Sequence, residues 1–197
     1  MKKIFKVILV ILAVLFLLFA GLVAVGFSRR FEKDKTDVAI ARINSTKITL
    51  DDVMGKYLPK KPDQALNDAT IEGVDANKNY IRDDVELAIF EKYPNSAKMR
   101  AAELQYAQAL QLELTQVFNS ESFISALKKE DSAYFCLGNS VENKDSAVLK
   151  IKEEELERLV LNVKIRENRY SENFKKYMTT YSLPNIDCDI SLDGFSN

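Results

Sequence analysis

The chain of 197 residues has no histidine, two cysteines, four prolines and six glycines. Without histidine it cannot form a Ser-His-Asp triad, a Cys-His catalytic pair or a histidine zinc site. The segment Gly138-Asn-Ser-Val-Glu142 also lacks the second glycine of a nucleophile elbow. Acid–base chemistry by paired carboxylates is the remaining route, and nothing distinguishes such a pair among the 29 acidic residues. We therefore expect a protein that is not an enzyme.

Charged residues are also missing from the stretch between Val7 and Phe27, which is 21 residues long. A helix of that length rises ~31 Å, about the thickness of the hydrocarbon layer of a bilayer. We predict that residues 1–30 form an N-terminal membrane anchor. The alternative is a cleaved signal peptide, because three lysines precede the run and Ala24-Val-Gly26 offers small residues for cleavage. The run is longer than the ~7 to 15 residues of a usual signal-peptide core.

The remaining part of the chain, residues 31–197, is predicted to be one domain. Without the first 27 residues the chain has 25 basic and 29 acidic residues, a formal charge of −4. This balance lacks the electrostatic footprint of a nucleic-acid-binding protein. Because few glycines and prolines interrupt the chain, we expect a small, mainly α-helical domain with its own core.

Apolar residues recur at helical spacing through most of this domain. The predicted helices run from Val85 to a stop at Pro94, from a cap at Asn95 or Ser96 through Val117, and from Phe123 to an end near Gly138. The pattern from Leu149 to Tyr181 predicts either one long helix up to Pro184 or two helices with a break around Asn162.

The stretch before these helices is predicted to be less regular. Thr36 to Leu50 mixes β-branched and polar residues, which favours either a short β-hairpin turning at Asn44-Ser45 or a strand that leads into a loop. Asp51 or Asp52 is predicted to cap a short helix through Tyr57. The segment from Pro59 to Asp68, with two prolines, is predicted to be an irregular connection.

The most specific chemical pattern is residues 75–86, Asp-Ala-Asn-Lys-Asn-Tyr-Ile-Arg-Asp-Asp-Val-Glu. Oxygen-bearing side chains occupy positions one, three, five, nine and twelve of this window, which is the ligand spacing of a calcium loop. Calcium prefers about six to eight oxygen ligands, and such a loop adds a backbone carbonyl and a bidentate carboxylate. The predicted metal ligands are Asp75, Asn77, Asn79, the carbonyl of Ile81, Asp83 and Glu86.

Two departures from the usual loop predict weak affinity. Tyr80 occupies position six, where glycine makes a left-handed turn, and that turn costs a residue with a Cβ about 1 to 2 kcal/mol. Only Asp75, Asp83 and Glu86 are carboxylates, so we expect a dissociation constant of ~0.1 to 1 mM. The alternative is a polar turn without metal, in which Asp83 or Asp84 caps the next helix and the asparagines satisfy backbone groups.

The run from Gly73 to Glu86 resembles the EF-hand-like calcium loops of dockerin and thrombospondin type 3 repeats, where an isoleucine and then an acidic pair also follow position six. The resemblance covers 14 residues and occurs once, whereas those modules use tandem copies. The anchor, the loop, Lys92-Tyr-Pro-Asn-Ser96 and a C-terminal Cys-Asp together resemble a group of small exported proteins of Gram-negative bacteria. That resemblance implies a single-pass inner-membrane protein with its C-terminal domain in the periplasm, and implies no activity.

The two cysteines, Cys136 and Cys188, are 52 positions apart. In an exported domain we predict a disulfide worth ~4 kcal/mol, which would hold the tail after Pro184 against the helix before Gly138. In a cytoplasmic domain both cysteines would be reduced and buried. Basic residues flank both ends of the apolar run, so the positive-inside rule does not decide the orientation. We favour export because cysteine pairs and calcium-type loops suit an oxidising compartment with plentiful divalent cations.

These observations lead to two functional hypotheses. In the first, residues 7–27 hold the protein in the inner membrane, and the domain binds calcium as a structural ion and acts through an unknown protein partner at the cell envelope. In the second, the protein is a periplasmic immunity or inhibitor protein that neutralises a delivered toxin. A neighbouring gene for a secreted toxin would distinguish the second from the first. Neither hypothesis involves nucleic acid.

Overall fold

A computed structural model describes residues 2–183 and 186–195 of the chain, and in those ranges it contains helices and no strand. The chain divides into two compact units, residues 1–38 and 39–197. The helices are α1 (Lys2–Ser45), α2 (Leu50–Val53), α3 (Gln64–Asp68), α4 (Asp83–Lys92), α5 (Ala97–Gln116), α6 (Ser120–Ser140), a 3-10 helix (Glu142–Lys144), α7 (Ser146–Val160) and α8 (Lys164–Tyr177). The prediction of a mainly α-helical protein is confirmed.

Helix α1 contains the apolar N-terminal run. Among the described residues it is the one helix long and apolar enough to cross a membrane, over a stretch within Val14–Ser45. Its large apolar side chains, such as Phe16, Leu22 and Phe27, are exposed. By length and composition this helix can act as a single-pass anchor, and a signal sequence has the same properties.

The predicted β-hairpin or strand between Thr36 and Leu50 is wrong, because α1 continues without interruption to Ser45. No glycine or proline lies between Phe27 and Ser45, and extending an existing helix is far less costly than nucleating a new element. Ala39 and Ile43, one helical turn apart, are both buried. The apolar side chains that suggested a strand therefore lie on one buried face of a helix.

The core of the unit formed by residues 39–197 is built around α5. Every residue from Arg100 to Leu114 is buried, and α5 packs against α2, α4, α6, α7 and α8. Its N-cap is Ser96, whose hydroxyl accepts a hydrogen bond from the amide of Met99. The prediction of a broad apolar helix beginning at this cap is confirmed.

Two short elements precede the loop. The N-cap of α2 is Thr49, and Asp52 at the third helical position completes a capping box. The helix ends at Val53, so the predicted cap at Asp51 or Asp52 and the predicted extension to Tyr57 are wrong. The segment expected to be irregular contains α3, because the side chain of Asp63 accepts from the amide of Leu66 and starts a single helical turn.

The later helices confirm the alternative of two helices between Leu149 and Tyr181, and they correct the predicted end of α6. α7 and α8 are separate, with the break at Asn162, and α8 ends at Tyr177. The predicted stop at Pro184 lies outside the described residues. α6 passes Gly138 and ends at Ser140, so Gly138 does not cap it. A Cβ at Gly138 would lie 3.4 Å from Cδ2 of Leu149, close to ordinary van der Waals contact.

Candidate metal centre

The candidate metal loop lies between Gly73 and the start of α4. Lys78 and Tyr80 have φ values of 59° and 62°, in the left-handed region that glycine favours. Tyr80 is position six of the calcium-type window, so the chain makes the expected sharp turn with a tyrosine in place of glycine. The cost of about 1 to 2 kcal/mol remains, but the side chain does not prevent the turn.

Side-chain oxygens of three ligand candidates accept hydrogen bonds from backbone amides of the loop. Asp75 accepts hydrogen bonds from the amides of Asn79 (3.2 Å) and Tyr80 (3.0 Å), one at each carboxylate oxygen. Oδ1 of Asn79 accepts from the amide of Ile81 at 2.9 Å. Oδ1 of Asp83 accepts from the amide of Ala76 at 2.9 Å. The side chains therefore hold the loop in a closed conformation.

Glu86, at position twelve, is buried and 1% exposed, as is Asp83. Its Oε2 accepts a hydrogen bond from Nδ2 of Asn77 at 3.0 Å, and Nδ2 of Asn77 also donates to the carbonyl of Tyr57 at 3.3 Å. Burial raises the pKa of Glu86 to about 7, against the opposing hydrogen bonds of the Asn77 and Asn79 amides. The side chains at positions three, five and twelve, namely Asn77, Asn79 and Glu86, therefore lie next to one another in the fold.

Burial also raises the pKa of Asp75 and Asp83, although both accept backbone hydrogen bonds that lower it. Three partly or wholly desolvated carboxylates in one loop are less costly when a cation neutralises them. The donor atoms are hard oxygens, the type that calcium prefers. Ile81 is fully buried, and its side chain anchors the middle of the loop in the core.

The three carboxylates are not gathered at one point. Among residues 2–183 and 186–195, no group of three or more His, Cys, Asp or Glu side chains is arranged to hold a metal ion. A calcium ion here would need amide and carbonyl oxygens as well as carboxylates. The residues fit calcium by chemical type and by backbone conformation, and Asn77 presents its nitrogen rather than its oxygen to Glu86.

The polar-turn alternative is partly reproduced in the same contacts, because the asparagines satisfy local amides as it expects. The N-cap of α4 is Arg82, whose side chain makes no capping hydrogen bond. Asp83 bonds Ala76 instead of capping α4, and Oδ1 of Asp84 accepts from the amide of Val85 at 3.0 Å. The loop geometry is therefore shared by the metal-binding and metal-free interpretations.

Two buried arginines fix the chain on either side of the loop, and the sequence pattern did not predict them. The guanidinium of Arg82 pairs with Asp84 at 2.6 Å and donates to the carbonyls of Leu159 and Val160, at the end of α7. Arg166 of α8 donates to the carbonyl of Asn67 in α3 and to those of Thr70 and Ile71 after it. Both side chains are fully buried. Only long-range packing identifies them, since nothing in the local spacing marks an arginine that binds distant carbonyls.

Two glutamines of α5 complete the support. Nε2 of Gln108 donates to the carbonyl of Asn79, and Nε2 of Gln111 donates to the carbonyl of Glu72, each at 2.8 Å. These positions lie one turn apart on α5. The central helix thus holds the loop and its preceding residue from one face.

Cys136 and Cys188 form the predicted disulfide, with 5.6 Å between their Cα atoms. It joins α6 to the C-terminal segment, where Leu192 is buried in the core. The amide of Asp189 donates to Oε1 of Gln105 at 2.7 Å, and its carboxylate pairs with Lys129 at 2.9 Å. The prediction that the bridge holds the tail against α6 is confirmed.

No family model, curated protein or solved structure matches this chain.

Proposed function

We propose that this chain is a membrane-anchored protein whose domain binds calcium in the loop at residues 75–86 as a structural ion and acts through contacts with another protein. The left-handed conformation of Tyr80 is the observation that carries the proposal, because a loop without glycine at position six makes the turn that calcium coordination needs. The proposed ligands are the side-chain oxygens of Asp75, Asn77, Asn79, Asp83 and Glu86 and the carbonyl of Ile81.

The electrostatics of the loop also support a cation. The guanidinium of Arg82, within the loop window, is committed to Asp84 and to two carbonyls of α7, so it does not pair with the carboxylates of the proposed ligands. Bound calcium would supply the missing positive charge and stabilise the ionised form of Glu86. Asn77 would bind through Oδ1, and its Nδ2 hydrogen bond to Glu86 would then be lost.

The proposed location is the inner membrane, with α1 as the anchor and the domain in the periplasm. The disulfide supports an oxidising compartment, and millimolar calcium outside the cytoplasm would suit a weak site. Exposed apolar side chains near α2 support contacts with a protein: Leu50, Met54 and Tyr57 are each more than half exposed.

Thermal unfolding of the full chain in lipid nanodiscs tests the metal site. With 2 mM calcium we expect the melting temperature to rise by about 1 to 7 °C relative to chelator, because a dissociation constant of ~0.1 to 1 mM gives about 0.6 to 1.8 kcal/mol. The double variant Asp75→Ala, Glu86→Gln should lose the shift. A matched control, Asp193→Ala with Glu142→Gln, makes the same chemical changes at exposed positions and should keep it.

Terbium luminescence tests whether the ion binds near Tyr80. Tyr80 is half-buried in the loop, so terbium bound in place of calcium should emit when tyrosine is excited. Tyr80→Phe should remove most of this emission and leave the calcium-dependent rise in melting temperature intact. A wild-type chain with no rise and no emission would show that the loop is a polar turn without metal.

A further inference from the structure

Two buried glutamates outside the candidate metal loop face each other between α5 and α6. Glu113 of α5 is 2% exposed and Glu130 of α6 is 9% exposed. The pKa of each carboxyl responds to the other group, so the two lie close together. Oε1 of Glu113 and Oε2 of Glu130 are buried without a hydrogen-bond partner among the described residues. Two ionised carboxylates in such a site are costly, which favours a proton on one of them.

Helix α8 covers this pair and contacts it directly. The hydroxyl of Tyr170 donates to Oε1 of Glu130 at 3.2 Å. Nδ2 of Asn173 donates to the backbone carbonyl of Glu113 at 3.2 Å. The guanidinium of Arg169 donates to the carbonyls of Leu114 at 3.3 Å and Val117 at 2.7 Å, near the C-terminal end of α5.

The attachment of α8 is mostly polar. Its two buried residues are Arg166 and Asn173, and Phe174, which meets Phe123 edge-on with ring centroids 6.5 Å apart, is 55% exposed. Arg166 fixes the first turn of α8 to the residues around α3, and Tyr170 and Tyr177 pack partly buried against the core. Beyond the first turn, the charge state of the polar groups beneath α8 can decide whether it stays docked.

The other carboxylates around the pair lie on two helices, α6 and α7. The titratable and charged groups that act on the two carboxyls are Tyr106 on α5, Asp131 on α6, Glu157 on α7, and Arg169 and Tyr170 on α8. Arg169 is the basic member of this set, and its hydrogen bonds already engage two carbonyls. A second negative charge on the pair would therefore be poorly compensated.

We propose that the Glu113–Glu130 pair is a proton-dependent clamp, in which one shared proton keeps α8 docked on α5 and α6 and loss of that proton releases α8. The proton leaves to solvent, and two ionised carboxylates then repel each other in a site shielded from water. Opening of α8 relieves the repulsion by admitting water. The released state would uncover the side of α5 and α6 that α8 covers.

The direction of the pH dependence follows from burial. Burial raises the pKa of both Glu113 and Glu130, and for Glu113 the negative charge of Glu130 adds to the effect. A group whose pKa is raised in the folded state stabilises that state fully below its ordinary pKa of about 4.5 and loses this contribution as pH rises through the folded value. The clamp therefore holds in acid and opens as the pH rises through the raised pKa of the pair.

Hydrogen–deuterium exchange of the full chain in nanodiscs tests the clamp. At pH 6 and pH 9, with rates corrected for intrinsic exchange, we expect protection of residues 164–177 to fall at least about tenfold in wild type relative to α5. Glu113→Gln keeps the shape and needs no shared proton, so its protection should change less than about twofold. Glu172→Gln, an exposed glutamate on α8, is the matched control and should behave as wild type.

Infrared spectroscopy at pH 6 gives an independent readout. The C=O stretch of a protonated carboxyl should be present in wild type and reduced in both Glu113→Gln and Glu130→Gln. If Glu113→Gln fails to fold, the wild-type exchange profile and this band decide the question. Equal protection of α8 at both pH values in wild type, or an unchanged pH dependence in folded Glu113→Gln, would overturn the proposal.

Discussion

Single residues decide whether the loop can form, and Gly73 is the clearest case. It has a φ of 66°, and a Cβ at this position would lie 2.2 Å from Cδ of Arg82 and 2.9 Å from Nη2 of Arg166. The position therefore needs both the left-handed conformation and the missing side chain. Tyr80 has a similar φ of 62° with a full side chain.

The first prediction concerns Gly73→Ala. We expect a loss of about 3 kcal/mol in the free energy of unfolding, from about 1 to 2 kcal/mol of backbone strain and a similar cost of moving two buried arginines. Gly194→Ala is the matched control, because Gly194 also has a positive φ, 104°, and nothing lies within 4 Å of its Cβ position. Urea unfolding measures both. Equal losses would mean that the arginines move aside freely.

At the scale of elements, arginines that bind backbone carbonyls connect segments distant in sequence. Arg100 of α5 donates to the carbonyls of Val53, Tyr93 and Pro94, which joins α2 to the end of α4. Arg82 and Arg166 do the same around the loop. A guanidinium offers five donors in a fixed plane, so one side chain can satisfy several carbonyls where helices and turns end.

The second prediction tests this role with Arg166→Lys. The lysine keeps the charge but cannot donate in the directions of Asn67, Thr70, Ile71 and Asn162 at once, so buried carbonyls lose their donors. We expect a loss of about 3 kcal/mol in the free energy of unfolding. Arg158→Lys, at an exposed site with a loose 3.8 Å pair to Glu154, should change it by less than about 0.5 kcal/mol. A small effect of Arg166→Lys would show that water replaces the lost donors.

At the scale of the whole molecule, the C-terminal segment is held by one covalent bond and a few contacts. Within residues 186–195 there is no helix or strand, so the disulfide, the Lys129–Asp189 pair and buried Leu192 hold it against α5 and α6. The bridge also bears on location, since disulfides persist in oxidising compartments.

The third prediction is that the double variant Cys136→Ser, Cys188→Ser loses ~4 kcal/mol in the free energy of unfolding, because the bridge closes a loop of about 50 residues. In whole cells, a maleimide reagent should label the wild-type chain only after reduction. Labelling of unreduced wild type would contradict the exported location and the bridge together. The single variant Cys188→Ser, labelled at Cys136 after unfolding, controls for access of the reagent.

The sequence alone determined the local features. Helical spacing marked α4, α5, α7 and α8, and Ser96 marked the start of α5, because a helix is encoded by residues three and four positions apart. The ligand spacing of residues 75–86 selected the segment that forms a closed polar loop. Tyr80 counted against the sharp turn at position six, and the structure makes that turn nonetheless.

Tertiary structure decided what spacing cannot encode. The continuation of α1 to Ser45 depends on the burial of Ala39 and Ile43, which a strand could also have used. The hydrogen bonds of Tyr170 to Glu130 and of Arg166 to Thr70 join positions that are far apart in sequence. Such contacts depend on how helices pack in three dimensions, so local periodicity gives no sign of them.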